Sequence, residues 1–437
     1  MRPLLLILIT LTGIRAHAQL IQDTAFQKNW SLHLQATVIS QYHFDFTAKY
    51  SGNNSLQTSE NVKTSRTATI FIGRRLWKNA AVYFNPEVAG GRGLSGAFGM
   101  AGFSNGETFR IGSPQLALYV ARAYIEQKFA LSRATELTTD DLNQLREYAP
   151  EKYLSLRAGK FSLPDFFDAN NYSHDPRQQF MNWSLMSNGA WDYPANTRGY
   201  TVGGVLEYHT PAGSVRFAAT QEPTYANGPT LDNHISKSFG LTAEGEKTIA
   251  INGHTGTIRL LVFRNQAPMG SYLDALAKNP AVPDITTVRA YSKTKSGTGL
   301  SYQQDLGKFA GLFVRAGWND GKNETWAFTE IDNTVSAGVS FDGEKWGRKG
   351  DTWALALVSN GISADHRAYL AAGGYGFIIG DGHLNYSRET IFETYYSFTI
   401  PFLFLALSPD YQFVVNPAYN KDRGPVHIVA LRLHLQL

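Results

Sequence analysis

The chain has no cysteine among its 437 residues. That excludes thiol catalysis, cysteine-based zinc sites and disulfide staples, and it favours a chain that is stable without covalent cross-links. Beyond the N-terminus no apolar run approaches the about twenty residues of a membrane helix, so a bundle of such helices is excluded. No Pro/Ser tract, charge run or low-complexity segment marks a linker, although the length alone would suggest two or three domains. The formal charge of +4 is too small to imply a nucleic-acid partner. The eleven histidines are scattered without an i, i+4 pair to hold a metal. No Gly-x-Ser-x-Gly elbow occurs, and "GGYGFIIGDG" (373–382) lacks the Lys-Ser/Thr and the following helix of a phosphate loop.

What is present is a chain rich in turn and strand formers, with 40 Gly, 22 Tyr and 26 Phe. The opening stretch "MRPLLLILITLTGIRAHA" combines Arg2, an apolar run from Leu4 to Leu11 and the small-x-small ending Ala16-His17-Ala18. It reads as a signal peptide over residues 1–18, cut before Gln19. Its removal takes Arg2 and Arg15 and lowers the formal charge from +4 to +2.

Strict alternation begins at "WSLHLQATVISQYH" (30–43), where Leu32, Leu34, Ala36 and Val38 share one parity and Ser31, His33, Gln35 and Thr37 the other. Fifteen further segments follow, from Arg66–Leu76 to Gly424–Gln436, which makes sixteen. The gaps between them alternate in length. "KN" (78–79), "TPA" (210–212), "LGK" (306–308) and Pro401 are short; 42–65, 89–118, 162–198, 266–296 and 360–389 are long. Short turns on one side and long loops on the other are the sidedness of an outer-membrane barrel. One gap on the short side breaks the rule: 130–152, where Thr139 as N-cap before Asp140 and Asp141 predicts a short helix.

The polar parity carries charge at mid-strand. Arg122, Glu126, Arg157, Arg216, Arg259 and Arg315 each stand opposite an apolar set, and Glu87 falls on the same inward side. A charge there is costly against lipid and cheap against water. The expected fold is therefore all-β, a 16-stranded antiparallel transmembrane β-barrel over 19–437 with a water-filled lumen. Lys160 falls on the lipid parity and is expected past a bulge or above the bilayer.

Several long loops carry ordered motifs: "YSGNNSL" (50–56), "NPEVAGGRGLSGAFGMAGFSNGE" (85–107), "GKFSLPDFFDANNYSHDPRQQFMNWSLMSNGAWDYPANTRGYTVGG" (159–204), "GGYGFIIGDGHLNYSRETIFETYYSF" (373–398) and "LSPDYQFVVNPAYNKDRGP" (407–425). On these the chain, from about Trp30 to Leu437, resembles the carbohydrate-selective porin family of bacterial outer membranes. The resemblance implies passive diffusion of small neutral sugars, monosaccharides such as glucose, into the periplasm, with no cofactor, no metal and no enzymatic activity. It implies contact with outer-membrane lipid and the barrel-assembly machinery, as a monomer or homotrimer, and a pore narrowed by inward-folded loops. The chain departs from the pattern at its last residue, Leu437, where such barrels usually end on an aromatic; the intact alternation of "LRLHLQL" predicts that assembly proceeds.

The loop 162–198 is the expected constriction. Asp168, Asp175, Arg177, Asp192 and Arg198 offer charge-assisted hydrogen bonds to sugar hydroxyls, and Trp183 and Trp191 offer apolar planes to the C–H faces. Each has a plainer reading: Asp175-Pro176-Arg177 and Asp192-Tyr193-Pro194 would fold the loop, and the two tryptophans would be its core. The expected lumen lining is Glu87, Arg122, Glu126, Arg157, Arg216, Arg259 and Arg315. Because inward arginines outnumber the inward glutamates that parity places, a general or weakly anion-preferring porin is the alternative. A barrel hydrolase and a soluble glycan-binding β-protein are weaker rivals.

Overall fold

The computed structural model describes residues 24–437; the expected signal peptide lies outside the described residues. Sixteen strands close into one antiparallel barrel. They are β1 (Trp30–His43), β2 (Lys63–Trp77), β3 (Ala80–Gly91), β4 (Ala117–Ala130), β7 (Tyr153–Phe161), β8 (Thr201–Thr210), β9 (Gly213–Gln221) and β10 (Phe239–Ile251). The circuit continues with β11 (His254–Ala267), β12 (Lys293–Asp305), β13 (Ala310–Asn319), β14 (Asn333–Asp342), β15 (Thr352–Gly361), β16 (Glu389–Ile400), β17 (Leu405–Val415) and β18 (Val426–Gln436). Two short strands, β5 (Thr135–Thr138) and β6 (Glu147–Pro150), form a separate hairpin. Closure is by β1 against β18, with Gln35 opposite Gln436 and His43 opposite Ile428. A closed sheet leaves no unpaired edge, which the hydrocarbon core requires.

The alternation read from the sequence sets the faces, and the burial is inverted. On β11 Ile258, Leu260 and Val262 are exposed while Arg259 is 6% exposed; on β18 Leu431 and Leu433 are exposed while Arg432 is fully buried. Apolar side chains face outward and charged ones face in. Local chemistry sets the short turns. Ile251 pairs with His254 across Asn252 and Gly253, both at positive φ, the two-residue Asn-Gly turn whose twist matches a hairpin. Lys160 stands on the outward parity one residue from the end of β7, just after Gly159 at φ +137, and its ammonium lies 6.0 Å from the Tyr200 ring.

The connection 130–152 corrects the sequence reading. It is the β5–β6 hairpin, with Thr135 opposite Pro150 and Thr138 opposite Glu147, and holds no helix. Asp141 and Gln144 exchange backbone hydrogen bonds of 3.1 and 3.0 Å around Asn143 at φ +52, so a tight turn takes the place of the helix start. Eight residues between two short strands are too few to repay helix nucleation.

The lumen is largely filled by the long loops. The loop 162–200 crosses it, passing through one helical turn, Trp183–Met186, that Asn182 caps by accepting from the Ser184 amide. Around it lies an aromatic core that includes Phe167, Trp183, Trp191, Tyr193 and Phe328, all buried.

Because Leu260 points into the bilayer at the middle of β11, Leu260→Arg is expected to destabilise the inserted barrel by about 2–4 kcal/mol. Thr352→Arg, on the inward parity of β15, is expected to be near neutral. Urea unfolding in lipid vesicles measures both; equal costs would overturn the assignment of faces.

Candidate functional site

A β-bulge prepares the wall. Asn85 pairs with Arg122 and Pro86 with Val120, leaving Ala121 of β4 extra, opposite a proline that has no amide to donate. The extra residue switches parity, so both Tyr119 above it and Arg122 below it turn into the lumen. These two side chains help line a cavity of about 720 Å³ that runs along β1–β4, β7 and β8. A second cavity, of about 980 Å³, opens at the periplasmic end near the β12–β13 and β16–β17 turns, and Asp175 and Arg177 border both.

Charged groups descend the first cavity in tiers. Arg198 lies over Phe109 at 4.5 Å and over Tyr119 at 4.2 Å. Among the described residues no carboxylate lies within 4.0 Å of it, whereas Arg122, Arg157 and Arg177 are all ion-paired. Beneath it the Glu87 carboxylate accepts from Tyr119 Oη, Tyr200 Oη, Thr69 Oγ1 and Arg177 Nη2, the last at 2.9 Å. Arg177 also donates to Thr69 Oγ1 at 3.0 Å and Gln35 Oε1 at 3.3 Å, and its Nε is 3.0 Å from Glu107. Arg122 grips Asp165 through Nε and Nη2 at 2.7 and 2.6 Å, with its guanidinium 5.4 Å from the Tyr200 ring. Lowest, Arg157 bridges Glu126 and Glu207, each at 2.7 Å, and covers Phe166.

Burial weighs against the Arg177 charge, but Glu107 and Glu87 outweigh it and hold the guanidinium well above the ordinary arginine range. Burial pushes the Glu107 carboxyl up, a rise that Arg177 only partly offsets and that Glu87 and Asp175 reinforce. Glu107 belongs to the loop 92–116, and the rise makes it take a proton more readily than an ordinary glutamate.

The sequence-predicted residues divide into two groups. Glu87, Arg122, Glu126, Arg157, Asp175, Arg177, Trp183 and Arg198 line the first cavity. Asp168, Trp191, Asp192, Arg216, Arg259 and Arg315 line neither cavity; the burial of Asp168, Trp191, Asp192 and Arg315, each no more than 3% exposed, departs from the reading of them as solute contacts or lumen lining. Asp168 accepts from Arg315 Nε at 3.0 Å and from the Asn188 amide at 2.7 Å. Asp192 accepts the backbone N–H groups of Trp326, Ala327 and Phe328. Trp191 is 1% exposed and packs on Tyr193. Arg216 holds Glu207, Glu244 and Glu246, and Arg259 holds Glu246. Trp183 stacks on Phe103 at 4.9 Å, so only part of it meets the cavity.

Sequence reasoning missed Glu107, Glu207, Tyr119 and Tyr200. Glu207 was within reach: it sits at inward parity on β8, opposite Arg216 across a tight turn. With these residues in place the expected arginine excess disappears. The first cavity is lined by five basic side chains (Arg122, Lys128, Arg157, Arg177, Arg198) and seven acidic ones (Glu87, Glu107, Glu126, Glu136, Glu151, Asp165, Asp175).

A family model described as the carbohydrate-selective porin, OprB family, matches residues 53–437. Among solved structures, OprB of Pseudomonas putida at high pH superposes with a TM-score of 0.70 at 16% identity, covering 97% of this chain and 96% of that one. The outer membrane channel DcaP of Acinetobacter baumannii gives 0.51 at 11% identity, over 93% and 97%. At such identities the likeness is one of fold. No curated protein sequence matches the chain.

The raised Glu107 carboxyl sets a pH dependence whose sign is fixed. As pH falls from neutrality, Glu107 protonates before an ordinary glutamate, and Arg177 loses one of its two carboxylate partners. The reversal potential in a KCl gradient is expected to move toward anion preference, starting above the usual glutamate range. Glu107→Gln is expected to be shifted already at neutral pH and flat through that window; a variant that still titrates there would remove Glu107 as the source.

Proposed function

The chain belongs to the carbohydrate-selective porin (OprB) family and is a sugar channel of the bacterial outer membrane, and from that premise we propose a path and a set of contacts for the sugar. Monosaccharides such as glucose pass down the charged first cavity by passive diffusion, without cofactor, metal or chemical step. The observation that carries this reading is Arg198, a guanidinium on an aromatic platform with, among the described residues, no carboxylate partner within 4.0 Å. Its donors meet ring hydroxyls first, while Phe109 and Tyr119 present apolar faces to the C–H groups. The sugar is then handed past Arg177–Glu87 and Arg122–Asp165 to Arg157–Glu126, exchanging hydroxyl contacts at each tier. Asp175 and Arg177, which border both cavities, stand where the two meet. Trp183 adds one apolar wall.

The acidic balance of the lining favours neutral solutes over anions and speaks against the anion-preferring alternative. Outer-membrane lipid covers the outward apolar face and the barrel-assembly machinery inserts the chain, whether barrels stand singly or as trimers.

Swelling of proteoliposomes across a size-matched panel of sugars, amino acids and organic anions tests the reading. Arg198→Ala removes charge-assisted bonds that typically contribute about 1.5–3 kcal/mol, so monosaccharide permeation at low concentration is expected to fall roughly ten-fold. Amino acids of equal size should be little changed. A wild-type rate order that follows size or charge alone would sink the sugar path through this cavity.

A further inference from the structure

The β5–β6 hairpin departs from the short turns on its side of the barrel, and it does not hang free. It leaves β4 at Ala130, returns to β7 at Tyr153, and folds over the adjoining wall formed by β1–β4. There Ser31 Oγ of β1 donates to the Asp141 carbonyl at 3.2 Å, and His33 Nε2 stands 3.4 Å from Asp140. Arg75 of β2 donates Nη1 to Glu147 at 2.9 Å, Nη2 to the Arg146 carbonyl at 3.1 Å and Nε to the Lys28 carbonyl at 2.8 Å. Lys128 of β4 takes the other oxygen of Glu147 at 2.7 Å. Leu145 is 3% exposed and belongs to the same buried cluster as Tyr83 and Tyr124. The tip residues Leu142, Asn143 and Gln144 line the same cavity as Arg157 and Glu126. The hairpin is therefore pinned from three strands with its tip in the path.

We propose that this hairpin is a second selectivity filter, at the periplasmic end of the sugar path, which limits the size of the solute that leaves. The inference rests on the reading that the first cavity is that path. Its division of labour differs from the tiers above. The upper groups discriminate by hydroxyl and C–H contact; the hairpin sets a cross-section with a fixed backbone, held by charge-assisted bonds that a neutral solute does not displace. Once past Arg157 a monosaccharide slips between the tip and the β4–β7 wall, and a longer oligosaccharide does not.

The absence of cysteine supplies the first test. Gln144→Cys places a single thiol at the tip without touching the Arg75 and Lys128 ties. In planar bilayers, a charged methanethiosulfonate reagent added to either side is expected to lower single-channel conductance by half or more, and dithiothreitol to restore it. Labelled protein, verified by mass, with unchanged conductance overturns the proposal. A second variant replaces residues 132–151 by a two-residue turn. Swelling by di- and trisaccharides is expected to rise several-fold relative to monosaccharides, while the preference for sugars over amino acids of equal size persists. An unchanged ratio of large to small sugars overturns the proposal. If the wild-type barrel shows no sugar preference and the shortened one still admits larger neutral polyethylene glycols, the filter stands and the sugar path falls.

Discussion

A loop that enters a closed barrel carries its backbone N–H and C=O groups away from water, and each one left without a partner costs about 1–3 kcal/mol. The wall of this barrel answers that demand with charge. Arg432 of β18 donates to the carbonyls of Pro176, Gln178 and Gln179. Arg315 of β13 donates to those of Asp168, Leu185 and Ser173. Glu393 of β16 accepts the amides of Met181 and Asn182, and Glu389 those of Ala101, Gly102 and Ala418. Within the loops, Asp192 and Glu330 do the same for 326–328 and 377–379. A buried ion usually costs several kcal/mol; here each one satisfies two or three backbone groups, which offsets that cost and fixes the loop in one conformation.

The channel follows from where this fastening occurs. The deeply buried wall ties to loop backbone lie chiefly on β13 and β16–β18, and the aromatic core fills the space in front of β10–β15. Besides the second cavity near the β12–β13 and β16–β17 turns, what stays open is the strip along β1–β4, β7 and β8, where inward charges pair chiefly with side chains. The bulge at Ala121 widens the strip's repertoire by turning Tyr119 and Arg122 inward together. The first cavity is thus a part of the lumen the loops leave unclaimed, and its walls carry the mixed donors, acceptors and ring faces that the proposed sugar path needs.

The sixteen strands, their sidedness and most of their inward parity were legible, because a period of two and a turn signature are local; the bulge at Ala121, which turns Tyr119 inward, was not. The helix expected over 130–152 failed for a reason that is not local: Arg75 and Lys128 pull Glu147 to opposite neighbours, and Leu145 needs the Tyr83–Tyr124 pocket. The mixed fate of the charged residues has a similar origin. Parity told that Arg315 points inward, but not that Asp168, 147 positions away, would meet it there. Whether an inward charge faces water or a folded loop depends on contacts of that range, which alternation does not encode. Arg122 and Arg315 look alike in sequence, yet one lines the first cavity and the other is sealed beneath a loop.

Conduction sets a last constraint on the open strip. A passive channel must bind strongly enough to admit its solute and weakly enough to release it. Free guanidinium groups in a confined space would hold hydroxyls and anions tightly. In this wall nearly every one is already engaged: Arg177 by Glu87 and Glu107, Arg122 by Asp165, Arg157 by Glu126 and Glu207. A hydroxyl that approaches such a pair exchanges with an existing bond instead of adding a new one, so the net gain per contact is small and the step to the next tier is nearly level. Arg198, with no carboxylate within 4.0 Å among the described residues, stands over Phe109 and Tyr119 at the outer end of the series, where on the proposed path capture is useful and the solute has not yet met the paired tiers.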